Sequence, residues 1–160
     1  MTIKAILNSI RPVNLFITAL ALYMVRFTIV IPVLGSADFS SSLSGTEFAL
    51  MVIATLLIAA GGYLINDYFD RGIDAVNRPG TNTTDTVIGM RRTIVVYVLF
   101  TLTGLVTSWY FGEKTATRYV LLIHLFSAGL LFFYSQSYKK MLLAGNLVIA
   151  FLSGIAIMLP

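Results

Sequence analysis

Long apolar runs separated by short polar segments set the pattern of this chain. Five runs contain no acidic residue, at approximately 12–34, 48–65, 93–111, 119–138 and 141–159. Each approaches or exceeds the roughly 20 helical residues needed to cross a hydrocarbon core of about 30 Å. Four carry no charge at all, and only Arg26 interrupts the first. Continuous runs of this kind differ from the short alternating strands of a membrane β-barrel. The pattern predicts an all-α protein, a polytopic transmembrane helix bundle of about five helices. Composition agrees, because 58% of the 160 residues are hydrophobic and 11% are charged, against roughly 25% charged in ordinary soluble domains.

Charge between the runs supplies an orientation, since Lys and Arg accumulate in cytoplasmic segments near membrane ends. Lys4 and Arg11 precede the first run, Arg71, Arg78, Arg91 and Arg92 lie between the second and third, and Lys139 and Lys140 separate the last two. The alternate segments are poorer in basic residues: 35–47 has none, and the next has Lys114 and Arg118 beside Glu113. The amino terminus and the Asp-rich segment are therefore expected in the cytoplasm. The net charge of +4, concentrated on that side, suits anionic lipid headgroups and anionic substrates rather than nucleic acid. Cysteine is absent, which excludes disulfides and thiolate metal sites. Gly35-Ser36-Ala37 faintly imitates a signal-peptidase site, but the preceding run is longer than a signal h-region and contains Arg26, so a retained first helix is expected.

The chemistry concentrates directly after the second run, in Asn66-Asp67-Tyr68-Phe69-Asp70-Arg71-Gly72-Ile73-Asp74. At about 100° per residue, helical spacing places Asp70 and Asp74 within roughly 60° of Asp67, with Asn66 beside them. Carboxylates this close repel one another. A hard cation such as Mg²⁺ relieves that repulsion, taking one or two carboxylates and completing its shell with water and substrate phosphate. The pattern suggests a metal diphosphate site at a membrane boundary. Small residues at Ala59, Ala60, Gly61 and Gly62 let a neighbouring helix approach just before it. Asn77-Arg78-Pro79-Gly80 ends the helix, and a polar loop follows in which Asp85 is expected to be solvated.

These residues resemble the UbiA family of intramembrane polyprenyltransferases. Its first Asp-rich motif, N-D-x-x-D-x-x-x-D, is matched at every position by Asn66, Asp67, Asp70 and Asp74. Asn77, Arg78 and Pro79 are similar to its N-x-R-P continuation with one spacer missing, and Gly89 to the glycine that follows. Arg11, Pro12 and Asn14 look like its R-P-x-N opening, and Tyr134, Ser135 and Lys139 or Lys140 like its tyrosine and lysine segment, followed by Gly145 and Asn146. The resemblance implies Mg²⁺ held by Asp67, Asp70 and Asp74, with Asn66 orienting a ligand. It further implies a polyprenyl diphosphate bound by Asn66, Arg78, Lys139, Lys140, Arg71 and Arg11, and Asn14 and Tyr134 in the pocket. The implied reaction moves the prenyl group to an acceptor, expected first among aromatic quinone precursors, with a glycerol phosphate as the alternative. Family members have nine transmembrane helices and a second Asp-rich motif. After Asp85 the chain has no aspartate and only Glu113 as an acid, so residues 1–160 are expected to form the amino-terminal part of one such domain.

Several residues carry two readings. Tyr63, Tyr68, Phe69 and Tyr134 could shield a carbocation through their π faces or serve as interface anchors. Arg26 is costly within a span unless it snorkels or pairs, and snorkelling to the outer interface is expected. His124, the single histidine, has no partner for a triad and is expected to hydrogen-bond to a neighbouring helix, away from the Asp motif. The CDP-alcohol phosphotransferase signature, which opens D-G-x-x-A-R, is missing. A transporter or assembly role, with the acids merely solvated, is the non-enzymatic alternative.

Overall fold

The computed structural model describes residues 3–36, 43–77, 88–141 and 143–159, all helical or connecting them. A short helix α1 (Ile3–Ser9) leads into α2 (Pro12–Ser36), followed by α3 (Gly45–Asn77), α4 (Met90–Thr115), α5 (Tyr119–Gln136) and α6 (Ala144–Ile157). Helices α2 to α5 are long and apolar enough to cross a membrane. The fifth expected span is shorter than its apolar run. Met141 is extended after the 3₁₀ turn Tyr138–Lys140, so α6 keeps 14 residues, about 21 Å of helix. The seven-residue α1 was not anticipated, because its length is below what periodicity reveals.

Helix α3 is the axis of the bundle. Within its most apolar stretch 61% of residues are buried, against 11–17% for the other three spans. The cause lies in its sequence, where small residues admit neighbours on two sides. A Cβ on Gly61 would stand 2.6 Å from Thr101 Oγ1 of α4, and one on Gly62 would stand 2.8 Å from Leu131 Cδ1 of α5. The outer helices turn Phe16, Ile17, Leu20, Val106 and Leu122 outward, an apolar surface suited to lipid tails. A Ser44–Glu47 capping box opens α3: the Ser44 amide donates to Glu47 Oε2 at 2.8 Å, and the Glu47 amide to Ser44 Oγ at 3.2 Å.

Helix α2 contains a π-helical stretch, Arg26–Val30. Arg26 is buried at 6% exposure, and its side chain reaches the connection that precedes α3, at the end of the span toward which it is expected to snorkel. Its Nη2 donates to the Leu43 carbonyl at 2.6 Å, and its guanidinium lies 4.4 Å from the centre of the Phe48 ring. The connection before α3 thus offers an acceptor and α3 itself a π face, so the charge is paired within the protein.

Candidate functional site

Helix α3 continues unbroken for 33 residues, about 50 Å, and its last turns carry the Asp motif beyond the apolar stretch. The motif is therefore helical rather than a loop, and its members share a face as their spacing predicts. Among the described residues, two cations reach that face from other parts of the chain. Arg11 Nη2 lies 3.3 Å from Asp67 Oδ1, and its guanidinium stands 5.0 Å from the centre of the Tyr63 ring. Lys139 Nζ lies 2.6 Å from Asp70 Oδ1 and donates to Asn66 Oδ1 at 3.2 Å. Asn66 Nδ2 in turn donates to Asp70 Oδ2 at 2.8 Å.

Both cations depend on irregular backbone. Arg11 separates α1 from α2 and is left-handed, at φ 52° and ψ 65°, a conformation uncommon outside glycine. Lys139 lies in the 3₁₀ turn after α5, against which Gly145 of α6 is tightly seated. A Cβ there would come within 3.1 Å of both Lys139 Cα and the Tyr138 carbonyl oxygen. Gly145 is thus the residue that lets α6 approach the turn bearing Lys139.

Beneath the cluster a cavity of about 370 Å³ runs between α2, α3, α5 and α6, within the range of small-molecule sites. Arg11, Tyr63, Asn66 and Tyr134 line it, as do Ile58, Leu131, Ile149 and Leu152. His124 lines the far part of the same cavity beside Thr55, about 16 Å along α3 from Asn66 and so away from the Asp motif, as expected. Alongside α3, α5 carries Tyr134 and His124 down one groove. His124 makes the expected interhelical bonds, with Nε2 at 3.0 Å from Thr55 Oγ1 and Nδ1 at 2.8 Å from Ser108 Oγ. Thr55 donates its one hydroxyl proton to the Met51 carbonyl at 3.0 Å. Its oxygen is then left to accept from Nε2–H, and Ser108 donates to Nδ1. Sequence reasoning missed Thr55 and Ser108, since isolated small polar residues are common in apolar spans, and it placed Gly145 in the family-like segment without the packing role it has here.

Arg71 and Asp74 lie farther along α3, partly buried. Asn14 and Lys140 are exposed, and Arg78 lies outside the described residues. The oxygen donors of Asn66, Asp67, Asp70 and Asp74 fit a hard cation such as Mg²⁺, which needs only one or two carboxylates beside water and phosphate. Among the described residues, no three His, Cys, Asp or Glu side chains converge into a closed metal cage.

A bundle of long apolar helices with carboxylates and cations at one end of an apolar cavity defines a multi-pass membrane protein with a polar site at the edge of its spans. Residues 15–159 match the profile of the UbiA prenyltransferase family, and the chain belongs to that family. It is 33% identical over 110 residues to digeranylgeranylglyceryl phosphate synthase of Sulfurisphaera tokodaii, covering 69% of this chain and 38% of that protein. The synthase of the same name from Thermococcus kodakarensis is 28% identical over 155 residues, covering 96% of this chain and 50% of its own length. That from Hyperthermus butylicus is 31% identical over 152 residues, with 93% and 46% covered. A solved chain from structural work on digeranylgeranylglyceryl phosphate synthase in membranes superposes with a TM-score of 0.77 at 25% identity, covering 96% of this chain and 50% of that one. The chain thus spans half or less of the length of these relatives. Their names specify a glyceryl phosphate product rather than a quinone precursor, so the findings favour the alternative acceptor over the one expected first.

Proposed function

We propose that the protein takes part in Mg²⁺-dependent transfer of a geranylgeranyl group from its diphosphate to the hydroxyl of a glyceryl phosphate lipid. The observation that carries this reading is the juxtaposition of Asp67 and Asp70 with Arg11 and Lys139 over an apolar cavity. The prenyl tail occupies the cavity, and the diphosphate rests at its mouth. Arg11 contacts phosphate oxygens through its planar fork and Lys139 acts as a point charge, while Asn66 orients the group. Asp67, Asp70 and Asp74 would hold the metal, which when bound offsets the charge that develops on the leaving diphosphate. The C1–O bond of the donor breaks with its electron pair leaving on diphosphate. The acceptor hydroxyl oxygen forms the new bond to C1 and releases its proton, giving an ether. Tyr63 and Tyr134, both on the cavity wall, present π faces to the allylic cation. The distribution of basic segments supports a cytoplasmic side for the cluster.

The test is prenyl transfer by the intact protein in lipid nanodiscs. Geranylgeranyl diphosphate is supplied with either geranylgeranylglyceryl phosphate or 4-hydroxybenzoate. Transfer to the glyceryl phosphate is expected, lost on chelation of Mg²⁺ and lowered about 100-fold or more in Asp70→Asn. Transfer to 4-hydroxybenzoate alone would overturn the assignment of acceptor.

A further inference from the structure

Both oxygens of the Asp70 carboxylate are already engaged by the protein's own groups. Lys139 Nζ lies 2.6 Å from Oδ1, Asn66 Nδ2 donates to Oδ2 at 2.8 Å, and the same ammonium donates to Asn66 Oδ1 at 3.2 Å. Ammonium, carboxylate and amide close a small ring. Its charged members are largely removed from water, with side-chain exposures of 11% for Lys139 and 25% for Asp70. The adjacent Lys140 is exposed, so placement on the turn, rather than positive charge in the segment, selects Lys139.

We propose that Lys139 is a stand-in cation: it holds Asp70 and Asn66 in the free protein and yields them when a diphosphate offers it other oxygens. This rests on the reading that Asp70 ligates a divalent metal. A magnesium ion stands about 2.1 Å from a ligating oxygen. A metal on Asp70 and an ammonium at its present contact would therefore crowd two cations onto one carboxylate, and the two states compete. Diphosphate resolves the competition, because the three donors on a flexible four-carbon stem can turn from carboxylate to phosphate. Metal and diphosphate then bind with positive coupling, and by linkage each raises the affinity of the other by the same factor. The device keeps a lone divalent cation from settling in the site while sparing the carboxylate an unpaired state.

The experiment measures binding of Mn²⁺, a paramagnetic substitute for Mg²⁺, to the intact protein in nanodiscs by electron paramagnetic resonance. It is run with and without a non-hydrolysable geranylgeranyl diphosphate analogue. In the free protein Lys139→Gln is expected to bind Mn²⁺ about five- to tenfold more tightly than wild type, with a smaller further gain from the analogue, whereas Lys114→Gln, at an exposed lysine outside the cluster, follows wild type. Lys139→Met provides the same comparison if the glutamine variant does not fold. Unchanged or weaker Mn²⁺ binding by the free Lys139 variant overturns the stand-in role. Asp70→Asn separates that outcome from failure of the site itself. If Mn²⁺ binding with the analogue is the same in Asp70→Asn as in wild type, Asp70 is not a ligand and the underlying reading falls as well.

Discussion

Arg11 shows how one residue can link backbone conformation to charge. Its left-handed backbone turns the chain between α1 and α2, while its side chain joins Asp67 and the Tyr63 ring. Asparagine tolerates the same backbone region, so Arg11→Asn removes the charge without adding strain. A partly exposed ion pair contributes about 0–1 kcal/mol, and stability should fall by no more than that. The KM for the prenyl diphosphate should rise about tenfold, the loss of one charge-assisted contact. Titrating the donor in the transfer assay and melting the protein in parallel would read both. His124 belongs to the opposite case. His124→Ala leaves Thr55 and Ser108 without their partner inside the bundle, with an expected cost of about 1–3 kcal/mol in thermal or denaturant unfolding. The sequence already made His124 an interhelical hydrogen-bonding residue, since a single histidine has no partner for metal or triad chemistry. Which hydroxyls it meets is set by how three helices pack, and spacing along the chain does not encode that.

At the scale of the element, α3 was legible because its signals agree. An apolar run, small residues and an i, i+1, i+4, i+8 motif all continue on one helical period, so both the helix and the shared face of the acids followed from residues 59–74. The short α6 was harder, because an apolar run does not reveal where a turn consumes its first residues. Gly145 shows what that turn needs. In Gly145→Ala the added methyl would press on the Lys139 and Tyr138 backbone at 3.1 Å, costing about 1–3 kcal/mol if the structure resists. Displacement of Lys139 should lower transfer about tenfold or more, because shifts near 1 Å are costly at a reacting site. The measurement is kcat and KM for the donor beside the melting temperature. An unchanged turnover in the folded variant would show that the turn adapts without moving the cation.

For the whole molecule, the multi-pass architecture was written in composition and run length, whereas the joining of cavity and cluster required the fold. Arg11, Asn66 and Lys139 are far apart in sequence and meet because α3 and α5 run side by side while the α1–α2 junction crosses their ends. The proposed orientation rests on charge, and the lack of cysteine in these 160 residues helps to make it measurable. Single cysteines at Lys140 and Lys114 should behave oppositely in intact cells: Lys114→Cys is labelled by a membrane-impermeant maleimide, and Lys140→Cys is labelled only after permeabilisation. The reverse pattern would place the Asp cluster outside. Arg26 adds a consequence for biogenesis. Its acceptor and its ring are supplied by Leu43 and Phe48, which emerge from the ribosome after α2 itself. Until they arrive, α2 carries an uncompensated cation into the bilayer, and a charge within a span disfavours insertion by up to a few kcal/mol. The first two spans are thus coupled during synthesis: α2 settles in the lipid as half of a hairpin whose second arm completes it.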